Sequence, residues 1–367
     1  MYPKPMRLIQ EIMRENVAER PNKVALICEK TRLTYAQIDE MSNRLANAFV
    51  QSGIREDDRI LFYLMNSAEL VVSIFAALKA NAIFSVIDYA NTFETLHYIA
   101  ADCQAAALVT HDLQAEAAAR LLAEIPSLRL AVLSGEKAAR ADFRSLSDFG
   151  SLLSFEVIQA DYPPDILPQK RIDSDLAYLI YTSGSTGISK GVMVTHRCIL
   201  FTIHSGIEYL GQRESDVHTS PLPLSFSPGI NQLFQTFRVG GTLILERSFA
   251  YPAMTLKRMV AEGATGLATV PTILVLLLKT DLSRYDLSRL RYITSIGAAL
   301  APSIIQQVRQ KLPHALLYST YGMAEASFSL GLEPAQIDQR PASVGKPFPG
   351  TQAWIIDEDG RRRGRSY

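Results

Sequence analysis

The chain has 367 residues, and its 37 Lys plus Arg are matched by 37 Asp plus Glu, giving a formal net charge of zero. That balance excludes a generally basic nucleic-acid-binding surface and a polybasic membrane surface. With 48% apolar and 20% charged residues the composition is that of a globular protein of about two domains, with a core that needs neither disulfides nor structural metal.

Cys28, Cys103 and Cys198 are far apart and lack metal-ligand spacing, a reduced, intracellular pattern. The opening residues hold no apolar stretch of the kind a secretory signal needs. The most apolar runs, Leu70–Leu78 and Ile273–Leu278, are stopped by Lys79 and Lys279, short of the roughly 18 residues that span a bilayer. The expected location is cytosolic, with no nucleic-acid partner and no membrane span.

Strand and helix patterns alternate, the sign of an α/β fold with mainly parallel sheet. Lys23–Cys28 reads as a strand. Thr34 caps a helix over Tyr35–Ser52, with Ile38, Met41, Leu45, Ala48 and Phe49 near helical spacing, and Gly53 ends it. Arg59–Met65 is a strand, Ser67–Ala80 a helix, and Ile83–Ile87 and Ala107–Thr110 are strands. Leu113–Glu124 is a helix ended by Pro126, and Leu130–Leu133 a strand. From Gly135 to Ser174 the polar, proline-rich sequence reads as a surface connection. Alternation resumes with the strand Leu176–Tyr181 and continues to about Leu330. Thr351–Ile356 reads as a strand before the turn Asp357–Gly360. The closing RRRGRSY reads as an unstructured basic tail.

The segment Leu179–His196, LIYTSGSTGISKGVMVTH, carries the chemistry. A strand runs into a loop of Thr182, Ser183, Gly184, Ser185, Thr186 and Gly187, with Lys190 and Gly191 beyond and an apolar run from Val192. Glycines let backbone N–H groups turn inward to form an anion-binding concavity, hydroxyls add donors or a ligand to Mg²⁺, and the lysine adds positive charge. The spacing fits neither the P-loop of nucleotide triphosphatases nor the dinucleotide fingerprint. The residues alone leave open a Ser/Gly surface loop that binds nothing.

TSGSTGISKG resembles the phosphate-loop signature of the adenylate-forming (AMP-binding) superfamily, which comprises acyl- and aryl-CoA synthetases, luciferases and the adenylation domains of peptide synthetases. Other segments resemble the family in the same order: Arg32–Phe49 its first helix, Leu64–Asp88 its next helix and strand, Pro221–Phe234 its acyl-pocket segment. Ile293–Leu300 and Tyr318–Phe328 resemble its adenine- and metal-binding segments, and Ser343–Gly350 the lead-in to a β-barrel. The resemblance implies two lobes of mainly parallel sheet flanked by helices, plus the start of a small β-barrel. Residues 1–345 would form a large ATP- and acyl-binding domain, one lobe spanning about 64–207 and the other about 8–60 plus 215–338, with the active site between them. Residues 346–367 would be a truncated barrel segment and the tail.

The activity so implied is AMP-forming ligation. A carboxylate attacks the α-phosphate of ATP, pyrophosphate leaves, and the acyl-adenylate passes its acyl group to coenzyme A or an acyl or peptidyl carrier protein. Thr182–Thr186, Gly187 and Lys190 would hold the phosphates. Thr186 and Glu325 would meet Mg²⁺, and Ala324 stands where many members have threonine. Gly297, Ala298 and Ala299 would form the adenine-binding turn. Tyr321 would stack on the base, with Ser319, Thr320, Gly322 and Met323 lining the same pocket; a core role for Tyr321 stays open. Thr182, Lys190 and Glu325 are the expected catalytic groups.

Phe226, Ser227, Gly229, Ile230 and Gly297 would contact the acid. Peptide-synthetase domains carry Phe-Asp where this chain has Phe226-Ser227, and that Asp pairs with an α-ammonium group. Ser227 therefore favours a plain acyl or aryl acid over an α-amino acid. Phe226 reads as a gate beside the carboxylate or as a core residue. His196, His204 and His218 read as structural. The family's later Thr-Gly-Asp motif and C-terminal lysine are not met in this sequence, so weak or absent catalysis is expected of this chain alone. A non-catalytic nucleotide- or acyl-binding protein on the same scaffold stays open.

Overall fold

A computed structural model describes residues 6–140, 151–183 and 189–363. The chain divides into two compact units: residues 1–200 with 223–226, and residues 201–222 with 227–367.

In the first unit, α1 (Glu11–Glu19) precedes an antiparallel hairpin of β1 (Val24–Cys28) and β2 (Thr31–Thr34). Thr34 starts α2 (Tyr35–Gln51) with a capping box. The Gln37 amide donates to Thr34 Oγ1 at 3.2 Å, and the Thr34 amide donates to Gln37 Oε1 at 2.8 Å, so two otherwise orphaned donors are satisfied. Then follow β3 (Arg59–Tyr63), α3 (Ala68–Lys79), β4 (Ile83–Val86), α4 (Phe93–Asp102), β5 (Ala105–His111), α5 (Ala115–Glu124) and β6 (Leu130–Ser134). Beyond these lie α6 (Glu136–Arg140), β7 (Ser151–Ser154), α7 (Phe155–Asp161), β8 (Leu176–Ser183) and β9 (Ser189–Thr195). The sheet order is β7-β6-β5-β3-β4-β8-β9, parallel throughout except that β9 returns antiparallel to β8 at the edge. β3 and β4 bury nearly every residue, as central parallel strands covered on both faces do.

The connection expected over 135–174 is more ordered than its composition suggested. Ser154 caps α7 by accepting from the Val157 amide, Phe155 and Ile158 are buried, and β7 extends the sheet beside β6. Both elements are too short to display a clear period. The proline-rich strap that follows has few N–H groups to offer, and neighbouring side chains satisfy its carbonyls instead. Arg44 Nη1 donates to Tyr162 O at 2.6 Å, Asn47 Nδ2 to Asp165 O at 2.8 Å and Asn81 Nδ2 to Pro168 O at 3.0 Å.

The helix α8 (His196–Leu210) contains the unit boundary. The second unit continues with β10 (Val217–Ser220), α9 (Ser227–Arg238), β11 (Thr242–Leu245), α10 (Pro252–Glu262), β12 (Gly266–Thr269) and α11 (Pro271–Leu278). It ends with β13 (Tyr292–Ser295), α12 (Pro302–Lys311), β14 (Leu316–Met323), β15 (Ser327–Leu332), β16 (Lys346–Pro347), β17 (Ile355–Ile356) and β18 (Arg362–Arg363). Within this unit the order is β16-β15-β14-β13-β12-β10-β11, with β10 to β14 parallel and β15 and β16 antiparallel. Helices α10, α11 and α12 each begin with proline, whose fixed φ and missing N–H suit the first helical position. Tyr209 of α8 packs on Phe348 at 4.3 Å and on Tyr318 at 5.4 Å between ring centroids.

Only Ile355–Ile356 of the strand expected over Thr351–Ile356 is regular, and it pairs with Arg362–Arg363. Two residues of the supposed unstructured tail are thus in a hairpin, because Asp357 accepts from the amides of Asp359 and Arg361 and closes the turn.

Candidate active site

Two sets of expected residues are described, one in each unit. In the first unit, β8 and β9 form the arms of a hairpin, with Thr182 opposite Lys190 and Ser183 opposite Ser189. Thr182 is half-buried and Lys190 exposed. The loop residues Gly184, Ser185, Thr186 and Gly187 lie outside the described residues, as does the side chain of Ser183. The arms are well fixed. Ser85 Oγ donates to Leu179 O at 3.0 Å, Tyr98 OH to Ser189 O at 3.2 Å and Tyr181 OH to Asp102 Oδ2 at 2.6 Å. The Tyr181 ring lies against Gly191, where a Cβ would come within 3.1 Å of it. Burial and the neighbouring Asp102 carboxylate push the Tyr181 phenol far above its usual range. Burial pushes the Cys103 thiol up to about 11, so neither group is a ready nucleophile.

In the second unit, β13 and β14 run parallel with Ser295 beside Ser319. Both strands end on the same edge of the sheet, where open α/β sheets place ligands. Gly297 follows β13 at φ +91°, a conformation that favours glycine, and Gly297, Ala298 and Ala299 are exposed there. Thr320 is buried and donates from Oγ1 to Ser295 O at 3.2 Å, locking the two strand ends together. Tyr321, at 44% exposed, projects from the end of β14 and is not a core tyrosine. Ser319 and Gly322 are half-buried and Met323 is exposed.

The β14–β15 hairpin turns through Ala324, Glu325 and Ala326, with Ser327 at φ +49°. Glu325 is exposed at that turn, and no hydrogen bond or ion pair ties it among the described residues. No three His, Cys, Asp or Glu side chains cluster as a metal cage among those residues. Magnesium keeps several waters and is ordinarily bound through one or two carboxylates together with substrate phosphates, so an untied exposed carboxylate at this turn fits it.

The acyl-pocket segment also lies in both units. In the first, the Leu224 amide donates to Asn66 Oδ1 at 3.0 Å, and Phe226 is 49% exposed and so not a core residue. In the second, Ser227 opens α9. It is buried, and its Oγ has no partner among the described residues. Gly229 and Ile230 are buried on the same helix. One turn beyond Ser227, Asn231 is 1% exposed, and its Nδ2 meets Ser327 Oγ at 2.8 Å. That residue was not expected from the sequence. Its neighbours Gln232, Gln235 and Thr236 on α9 are polar and buried too, so no local pattern in the sequence singles it out.

A surface hollow of about 570 Å³ lined by Asp281, Tyr285, Lys311 and His314 contains none of the expected residues. Its lining precedes β13 and β14, at the opposite end of the sheet from Gly297 and Tyr321. His196, His204 and His218 are each tied to a neighbour. Ile9 N donates to His196 Nδ1 at 3.3 Å, His218 Nδ1 meets Tyr292 OH at 3.1 Å, and Arg238 Nε donates to His204 Nε2 at 3.3 Å. Burial lowers both His196 and His218 to about 4.

A family model described as AMP-binding enzyme matches residues 13–365, and the chain belongs to that family. It is 26% identical over 359 residues to bacitracin synthase 3 of Bacillus licheniformis, covering 98% of this chain and 5% of that protein. Against tyrocidine synthase 3 of Brevibacillus parabrevis the identity is 27% over 354 residues, covering 96% of this chain and 5% of that protein. The chain therefore spans a small part of the length of the curated relatives it matches. Among solved structures it is similar to the anthranilate CoA ligase AuaEII in complex with anthranoyl-AMP, at 25% identity and a TM-score of 0.87, covering 98% of this chain and 68% of that one. No helix among the described residues is long and apolar enough to cross a membrane.

Proposed function

We propose that this chain is the nucleotide- and acid-binding part of an AMP-forming ligase, joining a carboxylic acid to the α-phosphate of ATP with release of pyrophosphate. The observation that carries the reading is the placement of Gly297–Ala299 and Ser319–Met323 at adjacent ends of β13 and β14, the Thr320–Ser295 hydrogen bond holding them together. Gly297, Ala298 and Ala299 offer a flat backbone to the adenine, and the exposed Tyr321 ring offers a stacking face.

A carboxylate is ionised at neutral pH and needs no base, so charge stabilisation at the phosphates is the main demand. Thr182, the loop Ser183–Gly187 and Lys190 supply donors and positive charge to the β- and γ-phosphates. Magnesium, held by Glu325 and Thr186 with the nucleotide, would neutralise phosphate charge. As the carboxylate oxygen forms its bond to the α-phosphorus, the bond to the pyrophosphate oxygen breaks, and the acyl group then passes to coenzyme A or a carrier-protein thiol.

The acid in this reading is an acyl or aryl acid without an α-amino group, received by Phe226, Ser227, Gly229 and Ile230. Ser227 offers no carboxylate to an ammonium group, and the similarity to a ligase complexed with an aryl-acid adenylate supports the same class. The test is ATP–pyrophosphate exchange across a panel of carboxylic acids, with a parallel thermal-shift screen containing ATP and Mg²⁺. Exchange with a non-amino acid is the expected result. Neither exchange nor an acid-dependent shift would overturn the reading, while nucleotide binding without exchange would leave a non-catalytic binding protein on this scaffold.

A further inference from the structure

We infer that Asn231 is a positioning residue that fixes the Glu325 turn from the acyl-pocket helix. This inference rests on the reading of Glu325 as the carboxylate that meets Mg²⁺.

The turn between β14 and β15 has few ways to hold its shape by itself. The strands shift register between Tyr321 and Gly322, so the regular ladder is interrupted just before the turn. Ser327, where β15 begins, has φ +49°, a left-handed conformation that a non-glycine residue adopts at a cost. Across the turn the Ala326 amide donates to Met323 O at 3.2 Å. Glu325 itself is tied by no side-chain contact among the described residues. A carboxylate so placed keeps its aim only if the backbone around it is held from outside.

Asn231 supplies that hold. It is 1% exposed on α9, four residues beyond Ser227, and its amide nitrogen lies 2.8 Å from Ser327 Oγ. The bond reaches the strained residue of the turn, two residues beyond Glu325. Because α9 is packed on β10 and β11, the anchor is part of the rigid layer and not a mobile surface group. The Asn231 amide donates and the Ser327 hydroxyl oxygen accepts. The same helix carries Ser227, Gly229 and Ile230, so a change in how α9 is filled is transmitted to the aim of Glu325 through a single hydrogen bond. Asn231 is not a ligand in this scheme. It acts through Ser327.

The experiment titrates Mg²⁺ against ATP binding by calorimetry, with AMP binding measured alongside, in the full chain. Asn231→Leu removes both polar atoms and keeps the branched outline of the side chain, and Ser327→Ala removes the other partner. The expected result is a three- to tenfold rise in the Mg²⁺ midpoint for Asn231→Leu and for Ser327→Ala, and no further rise in the double variant. AMP affinity should stay within twofold of the parent. If Asn231→Leu does not fold, Ser327→Ala alone carries the test. An unchanged midpoint in Ser327→Ala, while Glu325→Gln raises it, overturns the positioning role and leaves the metal reading intact. An unchanged midpoint in Glu325→Gln overturns the metal reading itself.

Discussion

Gly322 comes so close to the Ser327 backbone across the β14–β15 hairpin that a Cβ on it would lie 1.8 Å from the Ser327 carbonyl oxygen. The obstacle is backbone, so no side-chain rotation relieves it. Gly322→Ala should open the hairpin and cost roughly 1–3 kcal/mol, the usual range for forced overpacking. Urea denaturation measures that loss, and ATP binding in the folded protein should fall with it. A fully stable Gly322→Ala protein with unchanged ATP affinity would remove the hairpin from the site.

Lys190 stands exposed on β9 opposite Thr182. Its charge should address phosphates that AMP lacks. Lys190→Ala should weaken ATP binding about tenfold, near 1.4 kcal/mol, in line with a charge-assisted hydrogen bond. AMP binding should stay within twofold. Equal losses for both nucleotides in calorimetry would place the lysine in another role.

Ser227 opens α9, and an aspartate there would sit where the helix dipole favours negative charge. Ser227→Asp should therefore leave the fold intact while burying an uncompensated charge at the proposed acid site. Binding of a non-amino acid should fall by about tenfold or more, a figure scaled from the several kcal/mol that an unpaired buried charge costs. Calorimetry with two acids differing only in the α-amino group checks this. Tighter binding of the amino acid to the unmodified protein would count against the assignment of Ser227.

Much of this arrangement was legible in the sequence, and the exceptions have physical reasons. The capped helix at Thr34 and the buried strands over Arg59–Tyr63 and Ile83–Val86 were visible because capping chemistry and apolar runs are local signals. The β7–α7 pair was hidden because four strand residues and one short helix show no period, and their burial comes from the sheet beside them. The loop motif was plain in the sequence, as were Gly297 and Tyr321. Asn231 was not, since its partner Ser327 is 96 residues away and nothing local announces the bond.

Lys79 is buried at the end of α3, and its ammonium group meets Asp39 Oδ1 at 2.6 Å, Asn43 Oδ1 at 2.7 Å, Ser42 Oγ at 2.8 Å and Asp39 O at 2.9 Å. Burial lowers its pKa, and Asp39 opposes that shift. Lys79→Met leaves the Asp39 carboxylate without its cation and should destabilise the first unit by about 3 kcal/mol, while adding Asp39→Asn should recover much of the loss. Chemical denaturation of the two variants measures both effects.

His196 and His218 are both lowered to about 4 by burial, from an ordinary value of 6.5. Below pH 6.5 the unfolded chain takes up protons that the folded protein refuses. The stabilisation is therefore complete above pH 6.5 and is lost as pH falls towards 4. Each histidine should contribute a slope of up to about 1.4 kcal/mol per pH unit in that window. Replacing His218 with Gln should flatten the stability profile between pH 6 and about 4.5 in denaturation experiments, and an unchanged slope would show that its proton is not linked to folding.

The hairpin of β8 and β9 sets a rule for how this protein can vary over evolutionary time. Thr182 and Lys190 are fixed relative to each other by strand pairing. A single residue gained within either arm would turn every later side chain of that arm to the opposite face of the sheet. Homologues should accordingly keep both arms constant in length even where their sequences have drifted.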